Sequence, residues 1–417
     1  MTDQKPYQHQ IQSEPVLRIG IILPIDRRKE ITVSFTNPSQ YKIDSKSPIN
    51  LTSSKLKFSV DDGGVKIIKT NAKFDGYGIT VHNVPAGRGF HWEKNIDVTL
   101  SGNVHIIPNK SGLLLINEVP LEKYLASVAV SEMSGTCPTS FLEAQTIAAR
   151  SWIMAAAENK HSELGIDACN DDCCQRYQGM NQMTSESKAV CNSTSGKVLL
   201  YDNEICDARY SKSCGGLTEN AENIWDMDFK PYLTSIYDSP EKKIQVDWQH
   251  WFRAAPDVFC SPSYVDESEL HKYLGNVDKN SKYFRWSIKY SQKELCELLS
   301  KKINVDIGRI VKIDALNRGY SGRINHLYCE YINLAGETKV LELNNEYDIR
   351  KTLHPSFLYS SCFMIKMNDE LIEFYGAGWG HGVGLCQIGA LGMALDGYST
   401  EQILIHFYSG AKLKQLY

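Results

Sequence analysis

The stretch Asn117 to Lys160, NEVPLEKYLASVAVSEMSGTCPTSFLEAQTIAARSWIMAAAENK, carries two consecutive helical periodicities with one carboxylate between them, and the rest of the chain must fold around that pair. Leu121, Leu125 and Val128 recur at the i, i+4, i+7 spacing of an amphipathic helix, and Pro120 suits a first helical position, where a missing N–H is harmless. Glu132 continues the series. At about 100° per residue it returns to nearly the azimuth of Leu121, so it points along the apolar stripe. A carboxyl placed there is expected to be partly desolvated, the setting in which it can hold a proton and act as a general acid. The competing reading is a plain helix end beside a turn at Ser134-Gly135. A second helix is expected after Cys137-Pro138, running through Phe141, Ala144, Ile147, Ala148, Ser151, Met154 and Ala155. Its small contact face allows close approach, which would hold Glu132 against a packed wall with Gln145 and Arg150 nearby.

These residues also carry a resemblance. VPLEKYLASVAVSEM followed by AQTIAARSW resembles the core motif of the stage II sporulation protein D family, which includes the amidase enhancer LytB. In that family the Glu of the Glu-Met pair is the catalytic acid of a lytic transglycosylase, so the resemblance implies that role for Glu132. CDARYSKSCGGLTENAENIW resembles the family's second motif, with Tyr210, Ser211, Gly215, Gly216, Thr218, Glu219 and Asn220 aligned and Cys214 where a small hydroxyl residue is common. Near the C-terminus, GWGHGVG with Gln387, Gly389 and Ala390 is similar to the family's most distinctive element. Ser321-Gly322-Arg323 and Arg350-x-x-Leu353 match further positions. The resemblance runs from about Val16 to Tyr417 and is thin between about 240 and 310.

Elementary chemistry shapes these motifs independently. Paired glycines at 215 and 216 allow a turn that presents N–H groups and the Ser211 hydroxyl to a ligand; a tight surface turn is the alternative. In the last block, Gly376, Gly378, Gly380, Gly382 and Gly384 alternate with Tyr375, Ala377, Trp379, His381 and Val383. Strand propensity cannot explain glycine at every second position. The pattern bares the backbone on one side for another chain or a flat ligand, while Trp379 and His381 project from the other.

The expected fold class is α+β: a helical catalytic core flanked by β-rich regions, with a second, smaller lobe. Residues 1–15 read as a disordered tail. Residues 16–116 hold short β-branched runs such as VLRIGIILPI, ITVSFT, VKIIKT and LLLIN, separated by turn residues. Residues 117–240 hold the helical pair, a cysteine-rich loop and the Ser-Gly-Gly motif. Residues 241–365 read as an insertion and a second β-rich lobe, with a helix at SQKELCELLSKK capped by Ser291 and Glu294. Residues 366–417 carry the glycine-rich run, a helix over Cys386–Leu395 and a final one capped by Ser399 and Gln402, expected to complete the core.

With a net charge near −4 the chain shows no basic face for nucleic acid, and no apolar run approaches the roughly 18 residues that would span a bilayer. The N-terminal MTDQKPYQHQIQSEP reads as neither a secretory signal nor an anchor. The resemblance nevertheless implies a location outside the cytoplasmic membrane. Twelve scattered cysteines do not decide the compartment.

Most glycosidases use two carboxyls, one to protonate the leaving oxygen and one to attack or to activate water. One well-placed acid suffices when the nucleophile belongs to the substrate, as when the C6 hydroxyl of N-acetylmuramic acid folds back onto C1. The resemblance implies that non-hydrolytic reaction on peptidoglycan glycan strands, often those stripped of stem peptides, with no cofactor needed for the chemistry. Arg150 is then the cation placed against a lactyl carboxylate, with a structural ion pair to Glu143 or Glu158 as the alternative. Trp379 would stack on a sugar, with a core position as the alternative, His381 would bind hydroxyls or orient Glu132, with bracing of its own loop as the alternative, and Gln145 and Gln387 would contact N-acetyl groups. A hydrolytic muramidase would instead need Glu219 or Glu222 as a second carboxyl. A third reading is a glycan-binding enhancer of an N-acetylmuramoyl-L-alanine amidase that does not cut. His161, Cys169, Cys173 and Cys174 form a metal-like cluster, and some members of the resembled family hold zinc in this loop; four ligands make a closed, structural site. Free thiols or a disulfide are the alternative, and Asp167, Asp171 or Asp172 are substitute ligands.

Overall fold

The computed structural model describes residues 13–46, 49, 51, 53–70, 78–90, 92–241, 246–274 and 282–417. They form an α+β structure of two compact units. The first holds the described residues up to 207 with 272–274 and 413–417; the second holds those of 208–271 and 282–412. The glycine-rich run and the helices after it, expected to complete the core of the helical pair, fall in the second unit.

The first unit opens with nine strands: β1 (Val16–Ile22), β2 (Glu30–Phe35), β3 (Tyr41–Asp44), β4 (Lys55–Ser59), β5 (Lys66–Thr70), β6 (Ile79–Ala86), β7 (Lys94–Leu100), β8 (Asn103–Asn109) and β9 (Gly112–Pro120). Helices α1 (Leu121–Glu132) and α2 (Thr139–Ala155) follow, then β10 (Ala168–Cys169), α3 (Ser185–Ser193), β11 (Lys197–Tyr201) and β12 (Glu204–Ile205). A six-stranded sheet has the order β10-β1-β9-β8-β5-β3, and a four-stranded one the order β4-β2-β6-β7. β9 is buried along nearly its whole length, so its LLLIN run is covered on both faces, and it leads without a loop into α1.

Helix α1 departs from the amphipathic expectation. Leu121 and Tyr124 to Ser131 are all buried, so the helix is enclosed around most of its circumference. A stripe at one azimuth therefore cannot decide what Glu132 faces. Its half-exposure comes from its position at the helix end, where the wrapping stops. Burying Leu121, Leu125 and Val128 contributes about 1.5–3 kcal/mol each. Pro120 is the N-cap residue of α1. The tail expected over residues 1–15 lies outside the described residues except at its last three. There the Pro15 carbonyl accepts from Leu121 N at 2.9 Å and Glu14 Oε1 from Glu122 N at 2.7 Å. An acidic side chain thus satisfies free donors at the positive end of the helix.

The second unit runs through β13 (Tyr210–Ser211), α4 (Trp248–Trp251), β14 (Arg285–Ser291), α5 (Gln292–Ile303), β15 (Arg309–Arg318), β16 (Ile324–Ile332) and β17 (Thr338–Leu343). It continues with α6 (Glu346–Thr352), β18 (Phe363–Met367), β19 (Leu371–Ala377), β20 (Leu385–Cys386), α7 (Gln387–Leu395) and α8 (Thr400–Phe407). The antiparallel sheets β14-β19-β18 and β15-β16-β17 enclose a core with α5 that includes Trp286, Leu295, Leu299, Ile310, Leu327 and Phe374. β13 pairs in parallel with β20, Tyr210 opposite Leu385 and Ser211 opposite Cys386. A last strand, β21 (Lys412–Gln415), joins β11 and β12. Among the described residues no helix is long and apolar enough to cross a membrane.

Candidate functional site

In the first unit the carboxylate of Glu132 is held by the loop that follows β10. Its Oε1 accepts from Arg176 N at 3.1 Å. A carboxylate at the C-terminal end of a helix faces the negative end of the dipole, and a main-chain donor offsets that. The loop is pinned on every side. Tyr124 Oη donates to Gln175 Oε1 at 2.9 Å, Gln175 Nε2 donates to the Ala149 carbonyl at 3.1 Å, and Tyr177 Oη donates to Asn117 Oδ1 at 2.9 Å. Arg176 lies over the ring of Trp92 at 4.3 Å and pairs with Asp172. Burial pushes the Asp172 carboxyl up to about 6 in spite of Arg176, and the charges of Glu132 and Asp171 push the same way. Arg176, Asp172 and Trp92 belong to this site, yet no spacing in the sequence connects them to Glu132.

A ring nitrogen of His161, ahead of β10, and the sulfurs of Cys169 at its end and of Cys173 and Cys174 in the loop after it all lie within 4.8 Å of one another. Cys169 Sγ is 3.0 Å from Cys173 Sγ, and Cys173 Sγ is 3.7 Å from His161 Nε2. Three thiols and an imidazole are the donor set of a closed tetrahedral zinc site. All twelve cysteines are free, so no disulfide competes for these sulfurs. The neighbouring aspartates are engaged elsewhere. Asp167 accepts from Arg18 N at 2.7 Å, Asp172 holds Arg176, and Asp171 accepts from Gly87 N at 2.8 Å and Arg88 N at 2.9 Å. Arg88 in turn pairs with both Asp26 and Asp171, at 2.7 and 3.0 Å. Burial opposes that guanidinium's charge, but the two carboxylates raise its pKa above the ordinary value.

Two expected substrate contacts are placed otherwise. Arg150 is wholly buried, and Glu122 takes its Nε at 2.9 Å and its Nη2 at 2.5 Å. Its Nη1 donates to the Lys197 carbonyl at 3.0 Å. The ion pair of Arg150 is therefore structural, with Glu122 rather than Glu143 or Glu158 as partner. Its place on the inner face of α2, against α1 and the residues before β11, leaves it no path to a lactyl carboxylate. Gln145 is also fully buried, on α2.

In the second unit the glycine-rich run leaves β19 after Ala377 and is not a strand from Gly378 to Gly384. Gly378, Gly380, Gly382 and Gly384 have φ of 75°, 91°, 76° and 70°. What approaches their bare backbone is this chain's own second motif. Ser213 and Trp379 exchange main-chain hydrogen bonds at 3.1 and 2.7 Å, and a Cβ at Gly384 would lie 2.0 Å from the Arg209 carbonyl. At Gly382 a Cβ would lie 2.3 Å from Cζ of the buried Arg323. The two motifs thus form one body that gathers Tyr210, Ser211, Gly215, Gly216, Trp379 and His381. Ser211 is buried and its hydroxyl has no hydrogen-bond partner among the described residues. Gln387 is buried at the start of α7.

Trp379 is half-buried and stacks on Tyr359 with ring centroids 4.5 Å apart. His381 Nδ1 accepts from Val383 N at 3.1 Å and its ring meets Trp225 edge-on at 4.8 Å. Burial, together with the charges of Arg209, Arg323 and Arg350, holds His381 well below its ordinary pKa, so the ring is a neutral hydrogen-bonding group. Arg209 covers the ring of Trp225 at 3.9 Å. Trp225 also lines an open polar cleft within this unit, with Asn223, Asn317, Asn325, His326 and Asn345. Glu219 is sealed. Its carboxylate accepts from Asn220 N and Asn223 Nδ2 at 2.9 Å, from Tyr320 N and Ser321 N at 3.1 Å, and from Ser321 Oγ at 2.6 Å.

Residues 109–201, which hold α1, α2 and the cysteine-rich loop, match the family described as Stage II sporulation protein. The chain therefore carries a domain of that family, and residues 219–384 match a domain of unknown function, DUF8618. Among individual proteins, it is 27% identical to stage II sporulation protein D of Bacillus subtilis over 352 residues, 80% of this chain and 84% of that one. It is 28% identical to an uncharacterized protein of Brachyspira hyodysenteriae over 312 residues, 75% of this chain and 71% of the other. It is 26% identical to the amidase enhancer of Bacillus subtilis over 302 residues, 69% of this chain but only 40% of the enhancer.

Proposed function

We propose that the chain is a peptidoglycan lytic transglycosylase that cleaves the bond between N-acetylmuramic acid and N-acetylglucosamine, leaving 1,6-anhydro ends. The observation that carries the reading is Glu132: a half-buried carboxylate ending α1, oriented by a main-chain N–H from a clamped loop. Glu132 in its acid form protonates the glycosidic oxygen as the C1–O bond breaks. Its carboxylate then takes the proton of the C6 hydroxyl as that oxygen bonds to C1, which restores the acid. Attack from within the substrate has a high effective molarity, so no second carboxyl is needed.

A hydrolytic route would need a second carboxyl free to activate water. Glu219 is consumed by its own donors, whereas Asp172 meets Arg176 and Glu222 meets Asn220 through one oxygen each. Tyr210, Trp379 and His381 are assigned to sugar binding in the second unit. The cluster of His161, Cys169, Cys173 and Cys174 is assigned a structural zinc ion that fixes the loop bearing Arg176. The reading places the protein on the outer side of the cytoplasmic membrane, where its substrate lies. A non-cutting enhancer of an N-acetylmuramoyl-L-alanine amidase is the second reading, favoured by the similarity to the amidase enhancer and by the amide-lined cleft beside Trp225.

The test is mass spectrometry of glycan strands, with and without stem peptides, after incubation with the native protein or Glu132→Gln. Anhydro-ended fragments from the native protein alone support the transglycosylase. Strands bound but uncut by both, with faster hydrolysis by an added amidase, support the enhancer instead.

A further inference from the structure

The second unit holds a second cluster of metal-type ligands that the proposed reaction does not use. Cys214, Asp238, Cys260 and Cys386 are all buried, and their donor atoms lie within 4.8 Å of one another. They come from the turn before Gly215-Gly216, two points in the 238–261 segment, and the N-cap of α7. Cys214 Sγ is 3.7 Å from Cys260 Sγ and 3.4 Å from Asp238 Oδ2. A tetrahedral ion with bonds of about 2.3 Å to sulfur and about 2.0 Å to oxygen sets two sulfurs about 3.8 Å apart, and a sulfur and an oxygen about 3.5 Å apart. Both observed separations match. A disulfide, at about 2.0 Å, is far shorter.

Three features around the cluster fit charged ligands better than neutral thiols. The sulfurs accept main-chain N–H groups: Cys386 Sγ from Cys214 N at 3.1 Å and Gly389 N at 3.2 Å, and Cys214 Sγ from Gly216 N at 3.3 Å. Neutral sulfur is a weak acceptor. Asp238 is fully buried with one oxygen, Oδ1, lacking any hydrogen bond among the described residues, and His406 Nε2 stands 3.5 Å from that oxygen. Left without a cation such a carboxylate is costly, whereas a ligand carboxylate flanked by an imidazole is a common outer-shell arrangement. Room for it exists because residue 389 is glycine, whose Cβ would lie 2.3 Å from Asp238 Oδ2.

The third feature is charge. Three thiolates and a carboxylate around a divalent ion leave two net negative charges. Arg323 is buried and, among the described residues, donates only to carbonyls and to the Ser321 hydroxyl, including the Cys214 carbonyl at 3.4 Å. Arg285 donates to the Gly215 carbonyl at 2.9 Å and to the carbonyls of Trp251 and Phe284, and its Nη2 is buried without a partner among the described residues. Neither guanidinium meets a carboxylate among the described residues, although buried arginines usually do.

We propose that Cys214, Cys260, Cys386 and Asp238 hold one tetrahedral zinc ion that ties the Cys214 turn to the start of α7. Four protein ligands close the coordination sphere, so the site is structural. The proposal stands whether or not Glu132 cuts glycan.

The experiment is zinc analysis of the full chain, purified with no chelator present, beside Cys260→Ser and Asp238→Asn. Cys260→Ser is expected to lower the zinc content by one equivalent per chain, and Asp238→Asn to weaken retention at least tenfold in competition with a chromogenic chelator. An unchanged zinc content in folded Cys260→Ser overturns the proposal. Alkylation of the native chain, mapped by peptide mass spectrometry before and after chelation, gives the same decision without a variant. Cys214, Cys260 and Cys386 are expected to react only after chelation; equal reactivity before and after overturns the site.

Discussion

Replacing Glu122 by alanine leaves the fully buried Arg150 guanidinium without an anion. In the native chain the carboxylate of Glu122 accepts from Arg150 Nε at 2.9 Å and Nη2 at 2.5 Å, from Gly196 N at 3.1 Å and from Tyr417 Oη at 2.6 Å. After the change Arg150 keeps only the Lys197 carbonyl at 3.0 Å and the Thr194 hydroxyl at 3.3 Å, both neutral acceptors. Stranding one member of a buried pair costs about 3–5 kcal/mol. Water reaches part of the loss, because the Glu122 side chain is 13% exposed, so the expected penalty is about 4 kcal/mol rather than more. Equilibrium urea unfolding of the first unit reads it directly. Glu122→Leu combined with Arg150→Met should recover most of the loss, since both charges then leave together. A penalty under about 1 kcal/mol for Glu122→Ala, with Arg150→Met weakening strand binding at unchanged stability, would refute the structural assignment and restore the substrate role for Arg150.

Gly382→Ala forces an alanine into φ of 76° and drives its Cβ towards Arg323, so a loss of about 3 kcal/mol is expected on thermal or urea unfolding of the second unit. His381 is held below its ordinary pKa by burial and by three arginines, so the unfolded chain binds the extra proton first as pH falls below about 6.5. Its contribution to stability is intact above that pH and is lost progressively as the pH falls below it. Between pH 7 and pH 5 the unfolding free energy of the native protein should fall more steeply than that of His381→Gln. Cys173→Ser should release one zinc equivalent from the first unit and lower its midpoint of thermal unfolding, as read by metal analysis and calorimetry.

The helices α1 and α2 were legible because proline, small residues and apolar spacing all agree over two long stretches, and the strands before them because β-branched runs alternate with turn residues. Capping boxes at Ser291 and Ser399 located α5 and α8. Helix α3 escaped notice because SESKAVCNS has a short, weak apolar face, and its Thr184 cap lies in an otherwise polar stretch. The outward face of α1 could not be read. Periodicity assumes one solvent face, whereas tertiary packing encloses this helix. Glycine alternation correctly implied a close backbone approach, but what approaches Gly382 and Gly384 is the arginine-bearing part of the same unit. The surroundings of Glu132 were illegible for another reason. Arg176 reaches it through a main-chain N–H, which no residue type announces.

In the proposed reaction Glu132 drives a cleavage in which the sugar's own hydroxyl replaces water. Digesting purified glycan strands in water enriched in heavy oxygen, followed by mass spectrometry of the new ends, tests it most directly. Anhydro-muramic ends that carry no heavy oxygen are expected from the native protein and are expected to be absent when Glu132 is changed to Gln. New reducing ends carrying one heavy oxygen each would contradict it and would require a water-activating carboxyl in its place.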